Sequence, residues 1–177
     1  MAPENGGTEK GLLPFQGGTL IEHMIIRLRP QVASLLISAN RNLDRYRTLG
    51  LPVLPDSLAD HPGPLAGVHA GALHCPTPWL LAVPCDAPFV AMNLAAKLAA
   101  AANQAGTRVA VARCDGRTHW AHLLAHRSVA ASIATFVTRG GRRVEEWCAL
   151  QGCAVADFED PEAFVNFNTP EDLKARS

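Results

Sequence analysis

The chain has 177 residues, of which 48% are hydrophobic and 18% charged, enough apolar mass for one full core and too much for global disorder. Lys plus Arg and Asp plus Glu both number 16, so nothing general draws the protein to nucleic acid or to an anionic membrane. There is no long apolar run and no repeat, the opening MAPENGGTEK has no signal-peptide core, and five cysteines without a CxxC fit a reducing cytoplasm.

In chain order, Thr19 is placed to cap a helix, with Glu22 as its box partner. Leu20, Met24 and Leu28 repeat at helical spacing, and Pro30 stops the helix. VASLLIS (32–38) reads as a buried strand, followed by the polar turn ANRN. A short helix over 44–49 is ended by Gly50, and PVLP is a brief strand. DSLADHPGPLAG (56–67) is an irregular loop leading into a short helix over 67–74. Residues 79–83 form a strand, 91–103 an Ala-rich helix and TRVAVAR a strand. Helices are expected over 128–138, closed by Gly140-Gly141, and over 144–150. CAVADF is a strand, and Thr169 caps a last helix with Pro170 at its first position.

Helices alternate with strands that are continuous apolar runs, the pattern of a mostly parallel sheet covered on both faces. The expected architecture is a three-layer α/β domain in which Ser38 to Asn40, Asp56 and Asp86 each follow a strand and converge on the ligand edge.

Several groups carry candidate chemistry. Gly6, Gly7 and Lys10 resemble a phosphate cradle in general terms, without the spacing of a Walker A loop; taken alone they read as a loose N-terminal tail. In 56–67, Asp56 and Asp60 stand among Gly63 and Gly67, where a carboxylate beside backbone N–H groups suits guanine; an ordinary surface loop has the same composition. Asp86 in PCDAPFV is a hard anionic ligand suited to Mg²⁺, which needs only one or two carboxylates when substrate phosphates supply the rest; it also fits a strand end. His119 and His122 should point to opposite faces of a strand, which argues against a metal cluster with His126. Arg142 and Arg143 suit an acidic substrate or a solvated helix start. Asn166 and Asn168 offer paired amides beside Phe167 with no structural task assigned to them.

In their order, EKGLL, SANR, DSLADHPGPLAG, PCDAPFV, GGRRV and FVNFNTPEDL resemble the molybdenum cofactor guanylyltransferase (MobA) family of nucleotidyltransferases. The resemblance implies a single nucleotidyltransferase-like domain over residues 1–177 with a Rossmann-like sheet. It implies Mg²⁺-dependent transfer of GMP from GTP to molybdopterin carrying molybdenum, with release of pyrophosphate. Lys10 would contact GTP phosphates, Asp56 the guanine side, and Asp86 the Mg²⁺ and phosphates. Gly63 and Gly67 would shape the nucleotide pocket, and Asn166 and Asn168 would sit near the pterin. The implied partners are GTP, molybdopterin-bound molybdenum and, downstream, molybdoenzymes or their chaperones, in the cytoplasm and without nucleic acid or membrane.

The sequence departs from the family pattern at Glu9, where Asp is usual, at Ser38, where Asn is common, and at Trp120, where Pro follows the His. Family members also open with an apolar strand running into LAGG, whereas the sequence opens at MAPENGG. The sequence therefore reads either as starting downstream of the true start or as a remnant, and the well-kept motifs favour the first. Without that first central strand and its phosphate loop, weak GTP binding and poor turnover are expected. The alternatives are a related CTP- or sugar-phosphate nucleotidyltransferase, against which DSLADHPGPLAG argues, and a truncated non-catalytic nucleotide- or pterin-binding protein.

Overall fold

The computed structural model describes residues 9–55, 58, 63–167 and 172–173. A 3-10 turn over Lys10–Leu12 leads into a hairpin of β1 (Pro14–Phe15) and β2 (Gly18–Thr19). Gln16 and Gly17 both take positive φ there, the pattern of a tight two-residue hairpin turn. Helix α1 (Leu20–Leu28) starts where the sequence places it: the Glu22 carboxylate accepts from the Thr19 N–H and hydroxyl, both at 2.8 Å. Its buried residues Leu20, Met24 and Leu28 recur every fourth position and form one apolar stripe.

Residues 32–38 differ from expectation. Only β3 (Ile37–Ser38) is strand, paired in parallel with β4 (Val53–Leu54) as a separate two-stranded sheet. The rest of the run finds no strand partner among the described residues, and apolar character without a hydrogen-bonded neighbour does not make a strand. Helix α2 (Leu43–Arg47) lies between the two.

The main sheet has the order β5 (Trp79–Ala82), β7 (Arg117–His126), β6 (Val109–Cys114), β8 (Ala154–Phe158). β6 pairs in parallel with β8, and β7 runs antiparallel to both β5 and β6, so three of the four strands point the same way. One face, with Ala110, Ala112 and Leu124, is covered by Met24 and Leu28 of α1 and by Leu94, Leu98 and Ala102 of α4 (Leu94–Ala105). The other face, with Val109, Val111 and Leu123, meets α3 (Pro64–His74), α5 (Ala130–Thr138) and α6 (Val144–Gln151) through Leu65, Val68, Ile133 and Trp147. This is the expected three-layer α/β arrangement. Trp147 is fully buried, and its indole N–H donates to the Ser132 hydroxyl at 2.9 Å.

The β6–β7 register shifts between Val111 and Ala112: Val111 faces Leu123, but Ala112 faces His119. Trp120, Ala121 and His122 form the bulge. The expectation that His119 and His122 point apart fails here. An odd number of extra residues reverses the alternation, and both imidazoles reach the same phenyl ring, Phe164. The capped helix expected from Thr169 onward lies outside the described residues, apart from Asp172 and Leu173. No helix among the described residues is long and apolar enough to cross a membrane.

Candidate active site

Beyond β5 the chain crosses the carboxyl edge of the sheet through Val83, Pro84, Cys85 and Asp86. The apolar strand delivers Asp86 into the interior, where it is 5% exposed. Lys10 Nζ meets Asp86 Oδ2 at 3.3 Å from the turn after Glu9. Asp86 Oδ1 has no hydrogen-bond partner among the described residues. A buried carboxylate oxygen left open is costly unless a ligand, ion or water meets it.

Close contact between the Lys10 turn and the Asp86 loop depends on Gly11. A Cβ there would stand 3.0 Å from Tyr46 Oη and 3.2 Å from Cys85 Cβ. The Tyr46 hydroxyl, buried within α2, donates to Glu9 Oε1 at 3.1 Å, and Asn42 reaches Glu9 Oε2 at 3.4 Å. Glu9 is thereby held, and Lys10 with it. Burial, with the Asp86 carboxylate next in size, pushes the Cys85 thiol up to about 11, so it stays protonated as a packing group. Sequence motifs do not single out Tyr46; its only signal is that it is the chain's one tyrosine, set in a polar helix.

Gly63 caps α3 at φ +74 with Pro64 at the first helical position, and Gly67, one turn on, lies so close to β3 that a Cβ would be 3.4 Å from Ser38 Oγ. The start of α3 is thus packed against the end of β3. Asp56 and Asp60 lie outside the described residues.

On the far side of Asp86, the backbone N–H of Phe167 donates to the Asp86 carbonyl at 2.8 Å. Phe167 packs with Phe15 and Phe89, which clamps the segment after β8 onto the Asp86 loop. Asn166, exposed, precedes that anchor, and Asn168 lies outside the described residues. Arg142 and Arg143 have structural partners: Arg142 donates to the Val137 carbonyl at the end of α5, and Arg143 pairs with Glu145 at 2.6 Å. The structure therefore brings together Lys10, Asp86 and the Asn166 segment, with Gly67 beside Ser38.

Among the described residues, no group of three or more His, Cys, Asp or Glu is arranged to hold a metal ion. The open Oδ1 of Asp86 still fits a hard cation of the kind that takes one carboxylate and completes its shell with phosphate and water oxygens.

A family model described as the MobA-like NTP transferase domain matches residues 4–153. A protein of Acidovorax ebreus named molybdenum cofactor guanylyltransferase is 44% identical over 184 residues, spanning 96% of this chain and 87% of its own length. One of the same name from Cupriavidus taiwanensis is 42% identical over 175 residues, spanning 96% and 88%. The crystal structure of molybdopterin-guanine dinucleotide biosynthesis protein A from Archaeoglobus fulgidus superposes with a TM-score of 0.72 at 20% identity, covering 96% of this chain and 89% of that one. 2-C-methyl-D-erythritol 4-phosphate cytidylyltransferase from Thermus thermophilus has the same fold, with a TM-score of 0.70 at 20% identity, covering 94% and 91%.

Proposed function

The chain belongs to the MobA-like NTP transferase family, and on that premise we propose that it transfers GMP from GTP to molybdopterin carrying molybdenum, forming the guanine dinucleotide and releasing pyrophosphate. The structural observation that carries this reading is the pairing of Lys10 with a buried Asp86 whose second oxygen is open. One cation and one anion at a carboxyl edge suit a phosphate ester and its counter-ion.

In this reading a terminal phosphate oxygen of molybdopterin attacks the α-phosphorus of GTP. The new P–O bond forms as the bond to the β-phosphate bridging oxygen breaks, and that electron pair leaves with pyrophosphate. No covalent bond to the protein is required, so catalysis is positioning and charge neutralisation. Lys10, whose side chain is 44% exposed, can swing from Asp86 to bear on the phosphates. Asp86 would hold Mg²⁺ through its open Oδ1, and the ion would supply charge neutralisation to the phosphates. Gly63 and Gly67 shape the nucleotide pocket and Asp56 faces the guanine. Asn166 and Asn168 attend the pterin. Residues 1–177 act as one nucleotidyltransferase-like domain in the cytoplasm, supplying molybdoenzymes or their chaperones.

The test is incubation with GTP, Mg²⁺ and molybdopterin-bound molybdate, followed by separation of the products. Dinucleotide and pyrophosphate in equal amounts are expected, with CTP a poor substitute. If CTP were preferred, or if the dinucleotide formed no faster than in a blank without protein, the proposal would fail.

A further inference from the structure

Among the described residues, two buried side-chain polar atoms lack a hydrogen-bond partner: Asp86 Oδ1 and His122 Nε2. The first belongs to the site above. His122 belongs to the same edge. Ala82, the last residue of β5, faces Leu123, so His122 comes next along β7, level with the point where β5 gives way to the Asp86 loop. Its side chain is 2% exposed. A buried ring nitrogen without a partner costs folding free energy unless a ligand or an ordered water meets it.

The bulge adds a second feature. His119 stacks on Phe164 with ring centroids 4.4 Å apart and planes at 26°, and His122 meets the same phenyl ring edge to face at 5.0 Å. His119 is only half-buried, so part of its ring remains in solvent. Phe164 belongs to the segment that Phe167 ties to the Asp86 carbonyl. The two imidazoles therefore pack on a segment that is tied, three residues further on, to the Asp86 loop. Of the nucleotide contacts proposed above, Lys10 and Gly67 come from elements outside the four-stranded sheet, and Asp86 follows its edge strand β5, whereas the histidines stand on β7 against the segment after β8. A ligand on the histidines is then the acceptor rather than the nucleotide.

We propose that His119, His122 and Phe164 form the seat of the acceptor's ring system, a flat nitrogen-rich bicycle that lies against His119 with its polar edge at His122 Nε2. This rests on the reading that the acceptor is a pterin. Pterin edges carry adjacent N–H and carbonyl groups, and an uncharged imidazole can donate to one or accept from the other. Burial, with His119 adding to it, pushes the His122 imidazole down to about 3, so the ring is neutral at physiological pH. A neutral donor or acceptor suits an amide-like edge better than a phosphate. Stacking on His119 supplies the remaining affinity.

The experiment titrates 6-carboxypterin, a fluorescent pterin, into the wild-type chain and into His119→Ala, His119→Phe and His122→Leu, with GTP titrated in parallel. Wild type should quench the fluorescence. His119→Ala and His122→Leu should each bind the pterin about tenfold more weakly, while His119→Phe, which keeps a flat ring, stays within about twofold. GTP affinity should stay within about twofold throughout. The inference is overturned if wild type fails to bind the pterin, if His119→Ala binds it as tightly as wild type, or if GTP affinity falls in step. Should His122→Leu not fold, the pair His119→Ala and His119→Phe, at the half-buried position, decides alone. Dinucleotide formed by His119→Ala at unchanged acceptor kcat/KM would overturn the seat and leave guanylyl transfer standing. Pterin held through His119 by a wild-type chain that makes no dinucleotide would do the reverse.

Discussion

Lys10 and Asp86 are 76 positions apart in the chain and meet at 3.3 Å, with Lys10 the more exposed partner and Asp86 almost wholly enclosed. Replacing Asp86 by Asn keeps the shape and removes the charge. Pyrophosphate release should fall by about 10²- to 10³-fold, the usual loss when one charge-stabilising group is removed. Folding should survive, because the ammonium can turn to water. An initial-rate assay decides it, and an undiminished rate would take Asp86 out of the mechanism.

Gly11 sets the spacing between the Lys10 turn and the Asp86 loop. In Gly11→Ala the new methyl would press on Tyr46 Oη at 3.0 Å and Cys85 Cβ at 3.2 Å, so the turn must back away. GTP affinity should drop by about tenfold, since small misplacements of a positioned group are expensive. Tyr46→Phe keeps the packing but frees Glu9, and should cost about 1 kcal/mol of stability for the lost hydrogen bond. Calorimetric GTP titration and urea unfolding give the two numbers.

His122 makes the fold sensitive to acid. Its native imidazole protonates only near pH 3, whereas an unfolded one does so near the ordinary value of about 6.5. Between those values the unfolded chain takes up a proton that the native chain refuses. Stability is therefore complete above about pH 6.5 and falls with pH below it, by up to about 1.4 kcal/mol per unit. Burial lowers His119 and His69 as well, in the same direction. Urea midpoints at pH 7 and pH 5 should differ more for wild type than for His122→Leu. Equal differences would mean that His122 does not carry the acid sensitivity.

Trp147 tests the core away from the site. Trp147→Phe removes part of a fully buried ring and leaves the Ser132 hydroxyl without its donor. The loss should be about 2–3 kcal/mol by urea unfolding. GTP affinity per folded molecule should be unchanged, since Trp147 packs from α6 against α5 and the sheet, among residues of the layer that also holds Ile133 and Val144.

Much of this could be read from the residues, but unevenly. Periodicity located α1, and Thr19 and Glu22 fixed its first turn, because capping is decided by side chains a few positions apart. Asp86 was legible because a carboxylate ending an apolar run is a local anomaly. The shortness of β3 was not legible, since whether 32–38 pairs depends on its neighbours in space. Nor was the Tyr46–Glu9 bond, which joins residues 37 positions apart. The meeting of His119 and His122 was misread, because counting by twos assumes an unbroken ladder and nothing in HWAH marks where it breaks.

That break has a consequence for how this segment tolerates changes in length. Three unpaired residues on β7 act as a phase shifter between the two halves of the ladder. Paired residues share a face, so the side of His119 is set by Ala112 across the turn at Asp115 and Gly116, and not by the number of residues in the bulge. Removing or adding one residue there should leave His119 on Phe164 and change only the span between His119 and Leu123. A change of length in this stretch is thus absorbed between the two imidazoles, altering how far apart they stand without carrying His119 to the opposite layer.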